Sequence, residues 1–240
     1  MKKDNEPKNE RETKGSQRDI QLLFNVPQNR KLLESKLKMQ IVDDVGWISP
    51  IERAGYKEYR DKDFMRRIGL GSHAEELVGK FWPNRGPVWD GLAKSIDGTI
   101  LLFEAKAHIS ELFGIGMKAT AKESREIALK ALAETADYIR ADYDPAAWTD
   151  AMYQTANRLA HLYFLNKIIG VKAKLIYLIF LNDGTVPSNG ETEDMWNMAI
   201  DIAEHYILKL PKKAKFSDGS NGSWRDWVNH IFIDMNEMVQ

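Results

Sequence analysis

The segment that decides the fold is IDGTILLFEAKAH, at residues 96–108. Its Asp97-Gly98 pair accepts the positive backbone φ angles that a tight hairpin turn requires. The residues that follow are apolar on both faces of an extended chain, which is typical of a central strand covered on both sides. The pattern therefore predicts a hairpin whose two strands span residues 88–93 and 100–107.

Two charged residues end this apolar strand. Glu104 and Lys106 continue the face of Ile100 and Leu102, where an unpaired charge is costly. An acidic residue two positions before a lysine also occurs in the N-terminal tail and in a polar helix, but only Glu104-Ala105-Lys106 ends an apolar strand. Two interpretations stay open at this point: a Glu–Lys pair that neutralises itself, and a functional site.

Asp90 stands in the other strand of the hairpin, fourteen positions before Glu104. Antiparallel pairing about the turn predicts Ala93 opposite Leu101 or Leu102, and hence Asp90 near Glu104. Opposed carboxylates repel each other unless a cation lies between them, and Mg²⁺ binds one or two carboxylates together with water and phosphate oxygens. The alternative is that Asp90 caps a turn ahead of a glycine.

Taken together, these residues resemble the PD-(D/E)XK nuclease superfamily, which includes restriction endonucleases, archaeal-type Holliday junction resolvases and exonucleases. The resemblance consists of Asp90 shortly after Pro87, followed by Glu104-Ala105-Lys106 at the end of a hairpin strand.

This resemblance extends over roughly residues 66–182, and the stretch FWPNRGPVWDGLA at 81–93 also resembles a set of bacterial proteins. It implies an α/β fold with a restriction-endonuclease-like core, in which helices flank a mixed central sheet.

The resemblance also implies roles for the site residues. Asp90 and Glu104, with the carbonyl group of Ala105, would hold Mg²⁺, for which Mn²⁺ can substitute, against the scissile phosphate. Such a metal lowers the pKa of bound water and neutralises developing charge. Lys106 would orient that water and stabilise the transition state electrostatically.

Two further residues enter through the same resemblance. Glu75, in a helix that begins near Gly71, would support a second metal or its waters. Glu76 is the alternative, and either glutamate can instead belong to a solvated helix surface. Gln154 would supply a polar residue from a later helix, where it forms a polar stripe with Arg158 and His161; a buried, hydrogen-bonded glutamine is the other interpretation.

Along the chain, the pattern predicts a disordered charged tail at 1–18, a helical and irregular extension at 19–62, and a nuclease-like domain at 63–240. The further predicted elements are helices at 29–39, 63–81 (interrupted near the GLGS stretch at 69–72), 120–140, 146–168 and 191–208 and strands at 174–182 and 229–235.

Composition narrows the function classes. The 240 residues include no cysteine, which excludes disulfides and thiolate metal sites. With a formal net charge of −1, any contact with nucleic acid must come from a local basic face. No apolar run has the length of a membrane span, and we expect a cytoplasmic protein with no membrane partner.

The sequence thus predicts an Mg²⁺-dependent phosphodiesterase that acts on nucleic acid, with DNA favoured over RNA, as an endonuclease or an exonuclease. A homodimer is compatible with this function. The competing hypotheses are a catalytically inactive nucleic-acid-binding or regulatory module with the same fold, and a structural α/β protein whose charges pair among themselves.

Overall fold

The strands of the protein form one mixed sheet in a computed structural model that describes residues 11–186 and 190–240. The sheet order follows the chain order, and the strands are β1 (Trp47–Ser49), β2 (Gly91–Lys94), β3 (Ile100–Lys106), β4 (Ala173–Leu181) and β5 (Val228–Asp234). The β1–β2 and β2–β3 pairs are antiparallel, whereas β3–β4 and β4–β5 are parallel. The predicted α/β class is confirmed.

Helices lie before and between these strands. They are α1 (Gly15–Asn25), α2 (Pro27–Leu37), α3 (Asp43–Gly46), α4 (Asp61–Arg67), α5 (Ala74–Leu77), α6 (Lys122–Ile139), α7 (Pro145–Thr149), α8 (Tyr153–Tyr163) and α9 (Glu193–Asp201). Helices α8 and α9 continue into π-helical turns at Phe164–Ile169 and Ile202–Ile207. Short 3₁₀ turns lie at Glu52–Ala54, Gly71–His73, Ile109–Leu112, Trp224–Asp226 and Met235–Glu237. Within the described residues, no helix combines the length and the apolar character that crossing a membrane requires.

The predicted hairpin is confirmed. Ala93 pairs with Leu101, and Gly98 has a φ angle of 85° in the turn. The first strand begins at Gly91, later than predicted, because Trp89 makes only an isolated bridge to Tyr59 at the rim of the sheet.

Strand β3 is buried along its whole length, as predicted for a central strand. Ile100 and Leu102 belong to one core cluster, which includes apolar residues of α6 and α8. Leu101 and Phe103 belong to a second cluster on the opposite face of the sheet, which includes α1. The site residues at the end of β3 are therefore held by a strand packed from both sides.

The N-terminal region differs from the prediction. Residues 1–10 of the predicted tail lie outside the described residues, and α1 begins at Gly15, inside that tail. The start of α1 is polar, but its apolar residues are completely or almost completely buried against the sheet: Ile20, Leu22, Leu23 and Phe24. The segment predicted as an extension, 19–62, supplies most of this helix and all of α2, which corresponds to the helix predicted at 29–39. It also supplies the edge strand β1, which the sequence pattern did not predict.

The later elements follow the predicted order with shorter boundaries. The interruption predicted near 69–72 in the helix at 63–81 is confirmed: the helix is divided into α4 and α5, since Gly69 adopts a positive φ angle of 85° between them. The helix predicted at 146–168 is likewise divided into α7 and α8. Strands β4 and β5 fall within one residue of their predicted positions.

Replacing Phe24 with alanine tests how strongly α1 supports the sheet. The Phe24 ring makes edge contacts with Trp47 at 4.9 Å and with Phe103 at 5.0 Å between centroids. We expect Phe24→Ala to lower the free energy of unfolding by about 3–5 kcal/mol, because it leaves a cavity between helix and sheet. Chemical denaturation measures this.

Val45→Ala is the matched control, because that side chain is 74% exposed and its loss should change stability by less than about 0.5 kcal/mol. Equal stability of both variants would show that α1 does not support the sheet.

Candidate functional site

Asp90 and Glu104 meet at the end of the β2–β3 hairpin. Gly91 pairs with Phe103, so the next residue outward on each strand, Asp90 and Glu104, lie beside each other. The backbone N–H of Ala105 donates a 2.8 Å hydrogen bond to Asp90 Oδ2. The hairpin register therefore brings together the two carboxylates that the sequence singled out.

Glu104 is buried and accepts hydrogen bonds at both carboxylate oxygens. Its Oε1 accepts from Lys106 Nζ and from Gln154 Nε2, each at 2.7 Å. Its Oε2 accepts from Arg158 Nε at 2.9 Å and from Arg158 Nη2 at 2.7 Å. These bonds fix the orientation of the carboxylate and balance its charge with two cations.

Gln154 forms hydrogen bonds with both Glu104 and Lys106. While its amide nitrogen donates to Glu104, its Oε1 accepts a 2.9 Å hydrogen bond from Lys106 Nζ. Glu104, Lys106 and Gln154 thus form a closed ring of hydrogen bonds between β3 and α8. The structure brings Gln154 to the predicted site, across 48 residues of sequence.

Arg158 is a site residue to which sequence reasoning gave no role. It is 5% exposed, its guanidinium lies 5.0 Å from the centre of the Trp89 ring, and its Nη2 also donates to the Val88 carbonyl at 3.0 Å. Arg158 follows Gln154 by four positions on α8, a spacing that places both on one helix face. Two polar residues at this spacing on an otherwise apolar helix are the sequence feature that could have indicated Arg158 as a site residue.

The two carboxylates differ in electrostatics. Burial and the charge of Glu104 raise the pKa of Asp90 well above its usual value, against the opposing effect of Lys106. Burial also disfavours ionisation of Glu104, but the charges and hydrogen bonds of Arg158 and Lys106 outweigh it, so the pKa of Glu104 is lowered. The charge of Glu104 is therefore balanced by two cations, whereas ionisation of Asp90 is disfavoured and only partly favoured by Lys106.

A further carboxylate, Glu58, was missed from the sequence. Its charge contributes to the raised pKa of Asp90, and its Oε1 accepts a 2.7 Å hydrogen bond from Gln17 Nε2 of α1. Glu58 lies in a segment predicted to be irregular, next to Tyr59, which bridges to Trp89. No residue pattern signals this approach, because it depends on how the segment packs on the hairpin.

The structure does not bring Glu75 to these residues. Its side chain is 72% exposed and forms a 2.6 Å ion pair with Lys62, while Glu76 contacts His73 at 3.0 Å. Both glutamates lie on the short helix α5, which ends after Leu77 and turns both side chains to its solvated side. The prediction of Glu75 as a metal-supporting residue is therefore not reproduced by the geometry.

Two histidines near the site have structural surroundings. His161 is buried between Trp82 and Trp89, and burial lowers its pKa to about 3, so it is neutral at physiological pH. His108 lies beyond the end of β3, with Nδ1 3.8 Å from Glu191 Oε2.

The metal-binding capacity of the site resides in Asp90 and Glu104. Across residues 11–186 and 190–240, no group of three or more His, Asp or Glu side chains is arranged to hold a metal ion. Two adjacent carboxylates nevertheless suffice for Mg²⁺, which keeps several waters in its coordination shell. Because both oxygens of Glu104 already accept hydrogen bonds, Asp90 is the carboxylate with more room for a cation, and it would be the principal protein ligand of a bound metal.

Comparisons of the chain with protein-family models, with curated proteins and with solved structures found no match. The assignment of function therefore depends on the residues and their geometry.

Removing one charge from each carboxylate should change stability in opposite directions. Asp90→Asn should leave the metal-free protein at neutral pH as stable as the wild type or more stable, because it removes repulsion and keeps an acceptor for the Ala105 N–H. Glu104→Gln should cost about 3–5 kcal/mol, because it leaves Lys106 and Arg158 buried without a counterion. Thermal and denaturant melts measure both.

The pH dependence of stability provides a second measurement on Asp90→Asn. A carboxyl group whose pKa is raised in the folded state destabilises the protein as pH rises from its unfolded pKa towards the folded one. The advantage of Asp90→Asn should therefore be small near pH 4, grow with pH and level off above the raised pKa. Glu126→Gln, at an exposed ion pair, is the control with little effect; a destabilised Asp90→Asn would contradict this account.

Proposed function

We propose that this protein is a metal-dependent nuclease that hydrolyses phosphodiester bonds in DNA through Asp90, Glu104 and Lys106. One observation carries the proposal: Lys106 and Arg158 both contact Glu104, so the neighbouring Asp90 carboxylate has no cationic partner among the described residues. A carboxylate in this state attracts a cation, and a divalent metal next to a buried lysine suits phosphodiester hydrolysis.

We further infer a restriction-endonuclease-like core within the α/β fold. The support is the order of elements around the site: an antiparallel hairpin bears the carboxylates and the lysine, and α8 then adds Gln154 before the parallel strand β4. This arrangement agrees with the resemblance of the sequence to the PD-(D/E)XK superfamily.

In this mechanism Asp90 and Glu104, with the Ala105 carbonyl, would hold Mg²⁺ or Mn²⁺, which when bound acidifies water and offsets charge on the phosphate. Lys106 presents its ammonium group beside the carboxylates and would orient the attacking water and stabilise the anionic transition state. Gln154 positions Lys106, since it bonds to both the ammonium group and Glu104. Arg158 keeps Glu104 ionised and fixes its plane.

A second candidate is a catalytically inactive nucleic-acid-binding or regulatory module. The observation in its favour is that the protein itself supplies hydrogen-bond donors to both oxygens of Glu104. In such a module Glu104 would hold α8 against β3 and would bind no metal.

Cleavage assays separate the two candidates. We expect the protein to cleave at least one of linear, circular, branched or single-stranded DNA, or RNA, with Mg²⁺ or Mn²⁺ and not in EDTA. Asp90→Asn and Lys106→Met should reduce the rate by more than about 100-fold, because each removes a charge that acts on the reacting phosphate. The rate is followed by gel analysis of labelled substrates.

Glu75→Gln is the control, because its exposed side chain contacts Lys62 instead of the site, and it should cleave at the wild-type rate. Equal cleavage by the wild type and Asp90→Asn, or undiminished cleavage in EDTA, would disprove the proposal.

Metal binding can be measured without turnover. A ligand stabilises only the state that binds it, so millimolar Mg²⁺ or Mn²⁺ should raise the Tm of the wild type. The same metal should leave the Tm of Asp90→Asn unchanged, because that variant lacks the Asp90 carboxylate. A wild type whose melting is indifferent to both metals would favour the inactive module.

A further inference from the structure

A cavity of about 620 Å³ opens next to the candidate site. Gln154 and Arg158, which hold Lys106 and Glu104, also line this cavity. Its remaining wall comes from the segments before β2, after β3 and at the start of α6 and α8, including Trp82, Arg85, Lys118, Ser124, Tyr153 and Asn157. A ligand in the cavity would therefore lie next to the proposed catalytic groups.

The cavity wall is basic. It includes Arg85, Lys118 and Arg158 but no aspartate or glutamate. The charge of Arg158 is engaged by Glu104, whereas Arg85 and Lys118 are exposed and form no ion pair within the described part of the chain. A nearby carboxylate, Asp61, accepts a 3.1 Å hydrogen bond from the backbone N–H of Arg85 but does not line the cavity. Two cations on the cavity wall that form no ion pair attract an anionic group.

Hydrogen-bond donors reinforce this charge. Helix α6 has eighteen residues and begins at the cavity, and no side chain caps its first turn. The N-terminus of such a helix presents unpaired N–H groups and a partial positive charge. Ser124, in that first turn, lines the cavity.

Asn157 gives an independent indication of a ligand. It is 7% exposed and lines the cavity, and its Oδ1 accepts a 2.8 Å hydrogen bond from Arg158 Nη1. With Oδ1 fixed in this way, its Nδ2 donates to no residue in 11–186 or 190–240. Since Asn157 lines the cavity, this amide group is a hydrogen-bond donor that an oxygen atom of a bound ligand can accept from.

Two aromatic rings complete the wall. Trp82 and Tyr153 both line the cavity, with their rings nearly parallel at 23° and their centroids 6.5 Å apart. Aromatic side chains next to a basic groove are the combination that binds unpaired bases and their phosphates.

From these features we propose that the cavity binds one nucleotide of a single strand. Its phosphate lies at Arg85, Lys118 and the start of α6, and its base contacts the partly exposed Tyr153, whose ring packs on the buried Trp82. The volume suits one small ligand and is too small for a duplex. The inference rests on the proposed nuclease function and narrows its substrate: the strand that is cut must be single-stranded or frayed next to the scissile phosphate.

Binding without metal tests this proposal apart from cleavage. The probe is a short oligothymidylate with a 5′-phosphate and a 3′ fluorophore, and its anisotropy is measured in EDTA. We expect Arg85→Gln with Lys118→Gln to weaken binding about tenfold and to reduce the slope of log K against log salt by about 1. A charge-matched control, Lys31→Gln with Arg53→Gln, removes two cations from segments packed on the other core cluster and should bind like the wild type.

Ser124→Asp provides a second variant that does not threaten folding. An acidic residue in the first turn of α6 suits the helix dipole, so the Tm should not fall. The same charge lies on the cavity wall, so affinity for the probe should fall about tenfold, whereas uncharged Ser124→Asn should bind like the wild type. A probe without the 5′-phosphate shows whether the bound group is a terminal monoester or an internal diester.

The outcomes separate the two proposals. Weaker binding by the cavity variants, with unchanged binding by the control Lys31→Gln with Arg53→Gln, supports the cavity whether or not cleavage is seen. Wild-type affinity in both cavity variants, or equal competition by a blunt duplex and by single-stranded DNA, would overturn it and leave the cleavage proposal standing.

Discussion

The buried carboxylate of Glu104 is the interaction on which the rest of the site depends. It joins the central strand β3 to helix α8, because Lys106 comes from the strand while Gln154 and Arg158 come from the helix. A buried anion requires partners with good geometry, and both its oxygens have them. The helix is therefore fixed in position relative to the hairpin, and the wall of the neighbouring cavity is fixed with it.

The same interaction explains why two adjacent carboxylates behave differently. Lys106 and Arg158 both contact Glu104, and Asp90 receives only the Ala105 backbone N–H among the described residues. Neighbouring acids with divergent pKa values are typical of sites that bind cations or move protons, because a purely structural network tends to pair its charges. The opposite pKa shifts of Asp90 and Glu104 thus support a functional role for these residues in addition to a structural one.

The sequence predicted the parts of the molecule that local pattern controls. The Asp97-Gly98 turn and the alternation of β3 predicted the hairpin and its register, which in turn predicted that Asp90 and Glu104 would be neighbours. Helix α1 was missed because its first turn is polar and because its apolar residues are buried only by packing against the sheet, which comes later in the sequence. The approach of Glu58 depends on how its segment packs on the hairpin, a long-range property that no local period encodes. Glu75 is exposed because the short helix α5 after Gly69 turns it to solvent.

The burial of α1 against the centre of the sheet has a consequence for the order of folding. Its contacts are with β3 and β4, which enter the chain about 80 and 150 residues later. During synthesis from the N-terminus, the apolar side chains between Ile20 and Phe24 therefore precede every strand that will cover them. Closing such long loops is slow, and unburied apolar segments favour association with other chains in the interval. The newly made chain therefore exposes these apolar side chains until the strands that cover them have been made.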